Sequence, residues 1–190
     1  MVDTIRTMCN SFLDYEYLRE NHEMIHFFGL GFVQLKLNLE QRLHFYHPDL
    51  PPFVDQPHNH RYDFTSEVLK GGLHNIIWRE DPNDPDGEPC VLRFDSCTAD
   101  DNLEIPEGRL TRRRVVAEFY TEPPSQYYMP REAFHQVRPF NEPTVTLLER
   151  GLRVTDFAQI LEPVNFEPVC PFSANLPEEE LWDIVKKCLK

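Results

Sequence analysis

The feature that most constrains the fold is a strict alternation of apolar and polar residues in the segment 33–40. Valine or leucine occupies every odd position there, and glutamine, lysine, asparagine and glutamate occupy the even positions. Successive side chains of a β-strand point to opposite faces of the sheet, so a period of two indicates a strand with one buried face. A second alternating run covers residues 42–47, and Pro48, Pro51 and Pro52 end it in a loop.

Further strand-like segments, separated by turn-forming residues, recur through the middle of the chain. Strands are predicted in the segment from His58 to Gly72 and at 73–80, 91–94, 110–121, 126–129, 135–137, 144–148 and 152–157. Residues 161–175 are rich in proline and are predicted to be irregular. Eight or more short strands with helices only at the ends indicate an all-β sandwich or closed barrel, and a small barrel can hold one ligand in its mouth.

Helices are predicted only near the two ends of the chain. In the segment 4–20, Ile5, Met8, Cys9 and Phe12 recur at helical spacing. In the segment 176–190, glutamates occupy the first turn and lysines the last, which suits the helix dipole. We expect one domain over residues 1–190, with the β-structure at about 30–157 and the helices packed outside it.

Composition excludes several classes of function. The 190 residues carry a net charge of −13, and the run at 112–114 is the one cluster of arginines, so we expect no nucleic-acid partner. The five cysteines are scattered without a Cys-x-x-Cys pair, which fits a reducing compartment. Neither a signal peptide nor an apolar run of membrane-spanning length is present, so we predict a cytoplasmic protein without membrane contact.

The strongest indication of chemistry is the pair His58 and His60. Residues two apart on a strand point to the same face, so both imidazoles can bind one ion, and imidazole suits Fe, Zn, Cu and Ni. His135 lies far along the chain, at the start of another predicted strand after Pro130. Metal sites of this kind gather ligands from two or three strands, so His135 is a candidate third ligand beside His58 and His60.

Two segments around these histidines resemble the two sequence motifs of cupins. The first cupin motif is His-x-His, three or four residues, Glu, six residues, Gly, and this chain matches its spacing with His58, His60, Phe64 and Gly71. The second is Pro-x-Gly-x-x-His, and residues 130–135 match it with Glu in place of Gly. The resemblance covers about residues 30–157 and implies a jelly-roll β-barrel with a metal in its interior. It also implies a small-molecule substrate and leaves a homodimer open.

The chain departs from the cupin pattern where the first motif has its metal-binding glutamate. Phe64 occupies that position and cannot bind a metal. Since only one parity of a strand can face inward, either Phe64 or its neighbours Asp63 and Glu67 point to the site. The first choice leaves three histidines alone, and the second offers Asp63 or Glu67 as a fourth ligand.

The first motif is also similar to that of the three-histidine thiol dioxygenases. Residues 66–74 read Ser-Glu-Val-Leu-Lys-Gly-Gly-Leu-His, and Trp78 follows. This similarity implies a non-heme Fe(II) dioxygenase that acts on a small thiol or carboxylate substrate. Arg61, Arg79 or Arg93 could clamp a carboxylate or phosphate, and either Tyr127 or Tyr128 could donate to bound oxygen. Among these we take Tyr128 and Arg61 as candidate catalytic residues.

Two other functions remain open for a cupin-like barrel. One is a non-redox isomerase, epimerase or lyase that uses Zn, Mn or Ni, or no metal. The other is a barrel that binds a small ligand and catalyses nothing, since a fold alone does not decide function.

Overall fold

The computed structural model describes residues 12–50, 56–95, 104–166 and 176–190. Within these ranges the chain forms two helices, α1 (Tyr15–Glu20) and α2 (Glu178–Leu189), and nine strands. The strands are β1 (Met24–Phe28), β2 (Phe32–Lys36), β3 (Gln41–Tyr46), β4 (Phe64–Glu80), β5 (Glu88–Phe94), β6 (Arg109–Thr121), β7 (Gln126–Met129), β8 (Phe134–Arg150) and β9 (Gln159–Pro163). None of the helices in these ranges has the length and apolar character needed to cross a membrane.

The strands join into one antiparallel sheet in the order β1-β2-β3-β8-β4-β6-β5-β9, with β7 beside β4. Isolated backbone bridges connect His58 to His135 of β8 and to Ile160 of β9. The short segment around His58 thus links β9 back to β8 and closes a ring of strands. The predicted all-β fold with flanking helices is confirmed.

The two longest strands bend together at a glycine. Each of β4 and β8 has 17 residues, and their register shifts between Val68 and Gly72. Gly71 has a φ of 74°, and a Cβ placed there would lie 2.6 Å from the carbonyl oxygen of Pro143. Only glycine accepts this backbone conformation and this close approach without strain. The bend lets one half of β4 pair with β7 and the other half pair with β6.

The sheet extends beyond the segment predicted from the sequence at both ends. Strand β1 precedes it, and β9 falls partly in the segment that was expected to be irregular. The predicted strand at 152–157 is wrong, because this segment has no ladder and leaves Leu152 86% exposed. Apolar and polar residues alternate in this segment, but among the described residues no strand pairs with it to bury the apolar side chains. Of the predicted helix at 4–20, only Tyr15–Glu20 is seen as helix, and residues 4–11 lie outside the described residues.

Helix α2 covers the back of the sheet formed by β1, β2, β3 and the end of β8. Its buried side chains are Leu181, Trp182, Ile184, Val185 and Cys188. They pack in one apolar cluster with strand residues Val33, Leu35, Leu43, Phe45, Val145 and Leu147. The opposite face of these strands is therefore the one that is left to form a site.

Replacing Trp182 with alanine should lower the free energy of unfolding by about 3–5 kcal/mol, because the side chain is 1% exposed and its loss leaves a cavity. Asp183→Ala is the matched control, since Asp183 is an exposed neighbour on the same helix and should change stability by less than about 0.5 kcal/mol. Urea denaturation of both variants measures the difference. Equal stability of the two would show that α2 does not anchor the sheet.

Candidate metal centre

The three predicted histidines converge on one point, and the backbone brings two of them together. His58 N donates to the carbonyl oxygen of His135 at 3.0 Å, and His135 N donates to that of His58 at 2.9 Å. His60 N donates to the carbonyl oxygen of Arg131 at 3.1 Å. The centroids of the three imidazole rings are each 5.0 Å from the other two. His58 and His60 thus share a face, although they lie in an extended bridge rather than in a regular strand.

All three imidazoles are held in the neutral form that binds metals. Burial lowers the pKa of His58, although the carbonyl of Gln56 opposes the shift. Burial lowers the pKa of His60 and His135 further, and the neighbouring histidines add to the effect. The Nδ1 of His58 lies 2.9 Å from the carbonyl oxygen of Gln56, so it donates there and leaves Nε2 free.

The donor atoms fit a transition-metal ion. Their ligand atoms all lie within 4.8 Å of one another. The Nε2 atoms of His60 and His135 are 2.8 Å apart, which allows one neutral ring to donate to the other in the metal-free protein. Two imidazole ligands about 2.0–2.1 Å from an ion and at right angles would have nitrogens about 2.9 Å apart. Three imidazoles suit Fe, Zn, Cu or Ni, so they do not by themselves select one metal.

The structure does not bring Asp63 or Glu67 to the histidines. Asp63 Oδ1 accepts a hydrogen bond from Arg131 N at 2.8 Å, and its side chain is 3.7 Å from the Arg131 guanidinium. It thereby holds the turn that leads to His135. Glu67 has the outward parity on β4, because Phe64 and its even-numbered neighbours are buried. Phe64 itself packs against the His60 ring, with centroids 4.7 Å apart.

The histidines line a cavity of about 440 Å³ on the inner face of the sheet. Of the arginines proposed as clamps, Arg61 lines this cavity and pairs with Asp95 at 3.1 Å. Arg79 instead forms a salt bridge with Asp84, and Arg93 forms one with Glu162. Arg61 is therefore the member of the predicted set that stands at the site.

Tyr127 lines the cavity, whereas the candidate Tyr128 points away from it and is 62% exposed. The two residues are neighbours on β7, so they face opposite sides. Burial raises the pKa of Tyr127 to about 12, although a hydrogen bond with Ser66 opposes the shift. Met129 lies two residues from Tyr127 on the same strand face and is buried. An apolar residue at this spacing indicates the inward face, so the sequence could have identified Tyr127, and not Tyr128, as the tyrosine that faces the cavity.

Two arginines that sequence reasoning missed also line the cavity. The guanidinium carbons of Arg42 and Arg150 lie 5.7 Å and 5.5 Å from the ring centre of Tyr62. Arg42 Nη1 also donates to the Tyr62 hydroxyl at 3.2 Å. In the described part of the chain neither arginine forms a salt bridge with a carboxylate. The alternation along β3 could have predicted that Arg42 shares the inner face with His44.

The buried histidines should make the metal-free protein lose stability in mild acid. Burial lowers the pKa of His44 to about 3, and the pKa of the three site histidines is lowered too. Below about pH 6.5 these histidines become protonated in the unfolded chain but stay neutral in the folded chain, so the free energy of unfolding falls as pH falls. Each histidine adds up to about 1.4 kcal/mol per pH unit.

Urea denaturation at pH values from 7.5 to 5 measures how steeply the free energy of unfolding changes with pH. His44→Gln should reduce this slope by about the contribution of one histidine. Stability that is flat over this range, or a slope that His44→Gln leaves unchanged, would contradict the assignment.

Comparisons with known proteins do not assign the chain to a family. No protein-family model and no curated protein sequence matches it. A solved structure similar to this chain is that of hydroquinone 1,2-dioxygenase from Sphingomonas sp. TTNP3 with 4-hydroxybenzoate bound. The match has 13% sequence identity and a TM-score of 0.33, and it covers 67% of this chain and 62% of that one. A likeness this weak gives no information about the chemistry of the site.

Proposed function

We propose that this protein is a metal-dependent, cupin-like enzyme, namely a non-heme Fe(II) dioxygenase acting on a small carboxylate or thiol. The observation that carries the proposal is the set of three neutral imidazoles, with ring centroids 5.0 Å apart, on the wall of a cavity of about 440 Å³. Pockets of this size bind small molecules and bury most of their surface.

His58, His60 and His135 would hold the ion. Bound Fe(II) would offer positions for O2 and the substrate side by side and would mediate electron transfer from the substrate, which is oxidised, to O2. Because the three ligands are neutral, they leave the positive charge of a divalent ion uncompensated. An anionic sulfur or oxygen of the substrate is therefore favoured at the open coordination positions.

The arginines favour a substrate that carries a negative charge. Arg42 and Arg150 approach the same tyrosine ring, and Arg61 lies on the same cavity wall. Two guanidinium groups without a carboxylate partner in the described residues can bind one carboxylate by charge-assisted hydrogen bonds. We assign Arg42 and Arg150 to this role, with Arg61 held in position by Asp95.

Tyr127 and Phe64 complete the surroundings of the reacting atoms. Since the pKa of Tyr127 is raised to about 12, its hydroxyl keeps its proton at neutral pH and can donate into the cavity. The buried ring of Phe64 lies against His60 and excludes water from that side.

A second candidate function uses the same residues without O2. A buried, protonated tyrosine beside a metal site can also act as a general acid in an isomerase or epimerase with Zn, Mn or Ni. Oxygen consumption, measured with an electrode on the iron-loaded protein and a panel of small thiols and carboxylates, separates the two. Substrate turnover without O2 uptake would favour the second function.

Protein produced with added iron and purified without chelator should contain about one Fe per chain. His60→Ala and His135→Ala should each lose most of it, since removal of one of three ligands breaks the site. His74→Ala is the control, because His74 pairs with Glu118 on β6 and does not line the cavity. Elemental analysis gives the stoichiometry. A protein without metal, whose thermal unfolding is unchanged by added Fe(II), would refute the proposal.

Replacing Arg42 with methionine should weaken binding of benzoate by about 10- to 100-fold and leave binding of the neutral isostere benzamide nearly unchanged. The reason is that a charged hydrogen bond is lost only with the anion. Isothermal titration calorimetry measures both ligands. The control is Arg109→Met, since Arg109 pairs with Glu80 outside the cavity. Equal losses for benzoate and benzamide would mean that Arg42 only packs on Tyr62.

A further inference from the structure

A row of four polar side chains crosses the inner wall of the cavity. In the sheet register, His26 of β1 pairs with Gln34 of β2, Gln34 pairs with His44 of β3, and His44 pairs with Thr146 of β8. All four side chains line the cavity. Directly paired residues on one face of a sheet have neighbouring side chains, so these four residues form one continuous polar row.

The polarity of this row is confined to the cavity side. One residue along on each strand, the register pairs Ile25 with Leu35, Leu35 with Leu43, and Leu43 with Leu147. These four side chains belong to the apolar cluster under α2. The same four strands therefore present an apolar row at the back and the polar row at the front. Folding alone needs only the former, since buried polar groups are costly unless they find partners.

The polar row has hydrogen-bonding capacity that the protein does not use. The hydroxyl of Thr146, a residue that is 1% exposed, has no hydrogen-bond partner among the described residues. The amide nitrogen of Gln34 lies 3.2 Å from Nε2 of His44. If Gln34 donates in this pair, the amide oxygen of Gln34 and the Nδ1–H of His44 are left for a guest. One acceptor, one donor and one hydroxyl then face the cavity side by side.

The row carries no charge at neutral pH. Burial, helped by Arg42 and His26, lowers the pKa of His44 to about 3. Burial and Arg42 also lower the pKa of His26. Neutral donors and acceptors match an uncharged group such as a hydroxyl or a carbonyl, whereas a carboxylate is better matched by the arginines.

An aromatic wall stands directly beside the row. Phe28 and Phe32 stack with ring centroids 5.1 Å apart, and Phe32 lies 5.1 Å from Tyr46. Phe32 also contacts the His44 ring, at 4.4 Å between centroids. All of these side chains line the cavity. Such a wall suits a flat, apolar body that can pack against rings.

The spacing along β3 sets the length of the guest. Arg42 and His44 are two residues apart on one strand and face the same side, so they are separated by about 7 Å along it. This length is spanned by a single aromatic ring with a carboxylate at one end and an oxygen substituent at the other. Arg42 and His44 line the same cavity as His58, His60 and His135, so this part of the wall shares the cavity with the candidate metal ligands.

We propose that the polar row of His26, Gln34, His44 and Thr146 binds an uncharged hydroxyl or carbonyl group of an aromatic carboxylate. The row is thus a determinant of substrate specificity for the cavity. This proposal specifies the substrate class of the proposed enzyme. It rests on the proposed function only where the bound molecule is taken to be a substrate. Binding itself needs no metal and can be measured on the metal-free protein.

The test uses pairs of aromatic acids that differ by one ring hydroxyl. Phenylacetate, 3-phenylpropionate and cinnamate are each compared with their meta- and para-hydroxy forms by isothermal titration calorimetry, with metal-free and with iron-loaded protein. The wild-type protein should bind at least one hydroxylated acid roughly tenfold more tightly than its parent. Thr146→Val and Gln34→Leu should each reduce that preference to less than about threefold.

The matched control is Thr144→Val. Thr144 lies two residues from Thr146 on β8, is fully buried, and exchanges hydrogen bonds with the backbone N and O of Gly72. Its loss should lower the melting temperature and leave the preference for hydroxylated acids intact. Thr146→Val should do the opposite, because its hydroxyl has no partner in the described residues and valine has nearly the same shape.

Three results would overturn the proposal. These are equal binding of every pair to wild-type protein, no binding of any acid at millimolar concentration, and a preference that survives both Thr146→Val and Gln34→Leu. The first would leave the row as a site for bound water. Failure of the proposed function looks different: the protein would prefer hydroxylated acids yet bind no iron.

Discussion

The reciprocal backbone hydrogen bonds between His58 and His135 are the interaction on which both the fold and the site depend. They link the segment before β4 to β8, and the neighbouring bridge to Ile160 links it to β9, so the ring of strands closes here. The same two residues supply two of the three imidazoles. Sheet closure and ligand placement are therefore one event, and the relative position of these two rings is fixed by main-chain atoms. Replacement of one imidazole would remove a candidate metal ligand while the backbone frame that places the other two persists.

The two faces of the sheet formed by β1, β2, β3 and β8 divide stability from function. The back face is apolar and packs under α2, where fully buried residues such as Val33, Leu35 and Trp182 contribute the hydrophobic stabilisation. The front face carries buried polar groups that stabilise little, and some of their atoms, such as the Thr146 hydroxyl, have no hydrogen-bond partner among the described residues. Buried polar groups without partners that are confined to one face of regular strands are typical of binding sites, because the apolar packing on the other face can offset their cost in stability.

The sequence predicted the elements whose information is local and missed those that depend on a distant neighbour. The His58–His60 spacing and the turn before His135 identified residues that do meet, and the parity rule correctly left Phe64 or Asp63 as the two choices. A decision between Phe64 and Asp63 requires knowledge of which face of β4 is buried. The strand predicted at 152–157 has the right alternation but no sheet partner, whereas β9 follows it with a weaker pattern and pairs with β5. The alternation along β3 places Arg42 on the inner face with His44, but it does not predict the contact of Arg42 with Tyr62, which lies 20 residues away in the chain and outside the strands.

The charge of the cavity lining is opposite in sign to the net charge of the protein. The chain has a net charge of −13, yet Arg42, Arg61, Arg150 and Arg153 line the cavity and Asp95 is the one carboxylate among its lining residues in the described chain. Surface charges farther away than about 8 Å are largely screened at physiological salt, whereas the arginines act at contact distance in a partly desolvated space. The acidic surface therefore gives an anionic guest no long-range attraction, and selectivity must come from the lining itself. A neutral three-imidazole site adds to this local preference once it holds a divalent ion, since none of the charge of that ion is cancelled by its protein ligands. In the proposed function, the arginines, the aromatic wall and the polar row would act on three different parts of one molecule, so selectivity would come from the combination of these contacts.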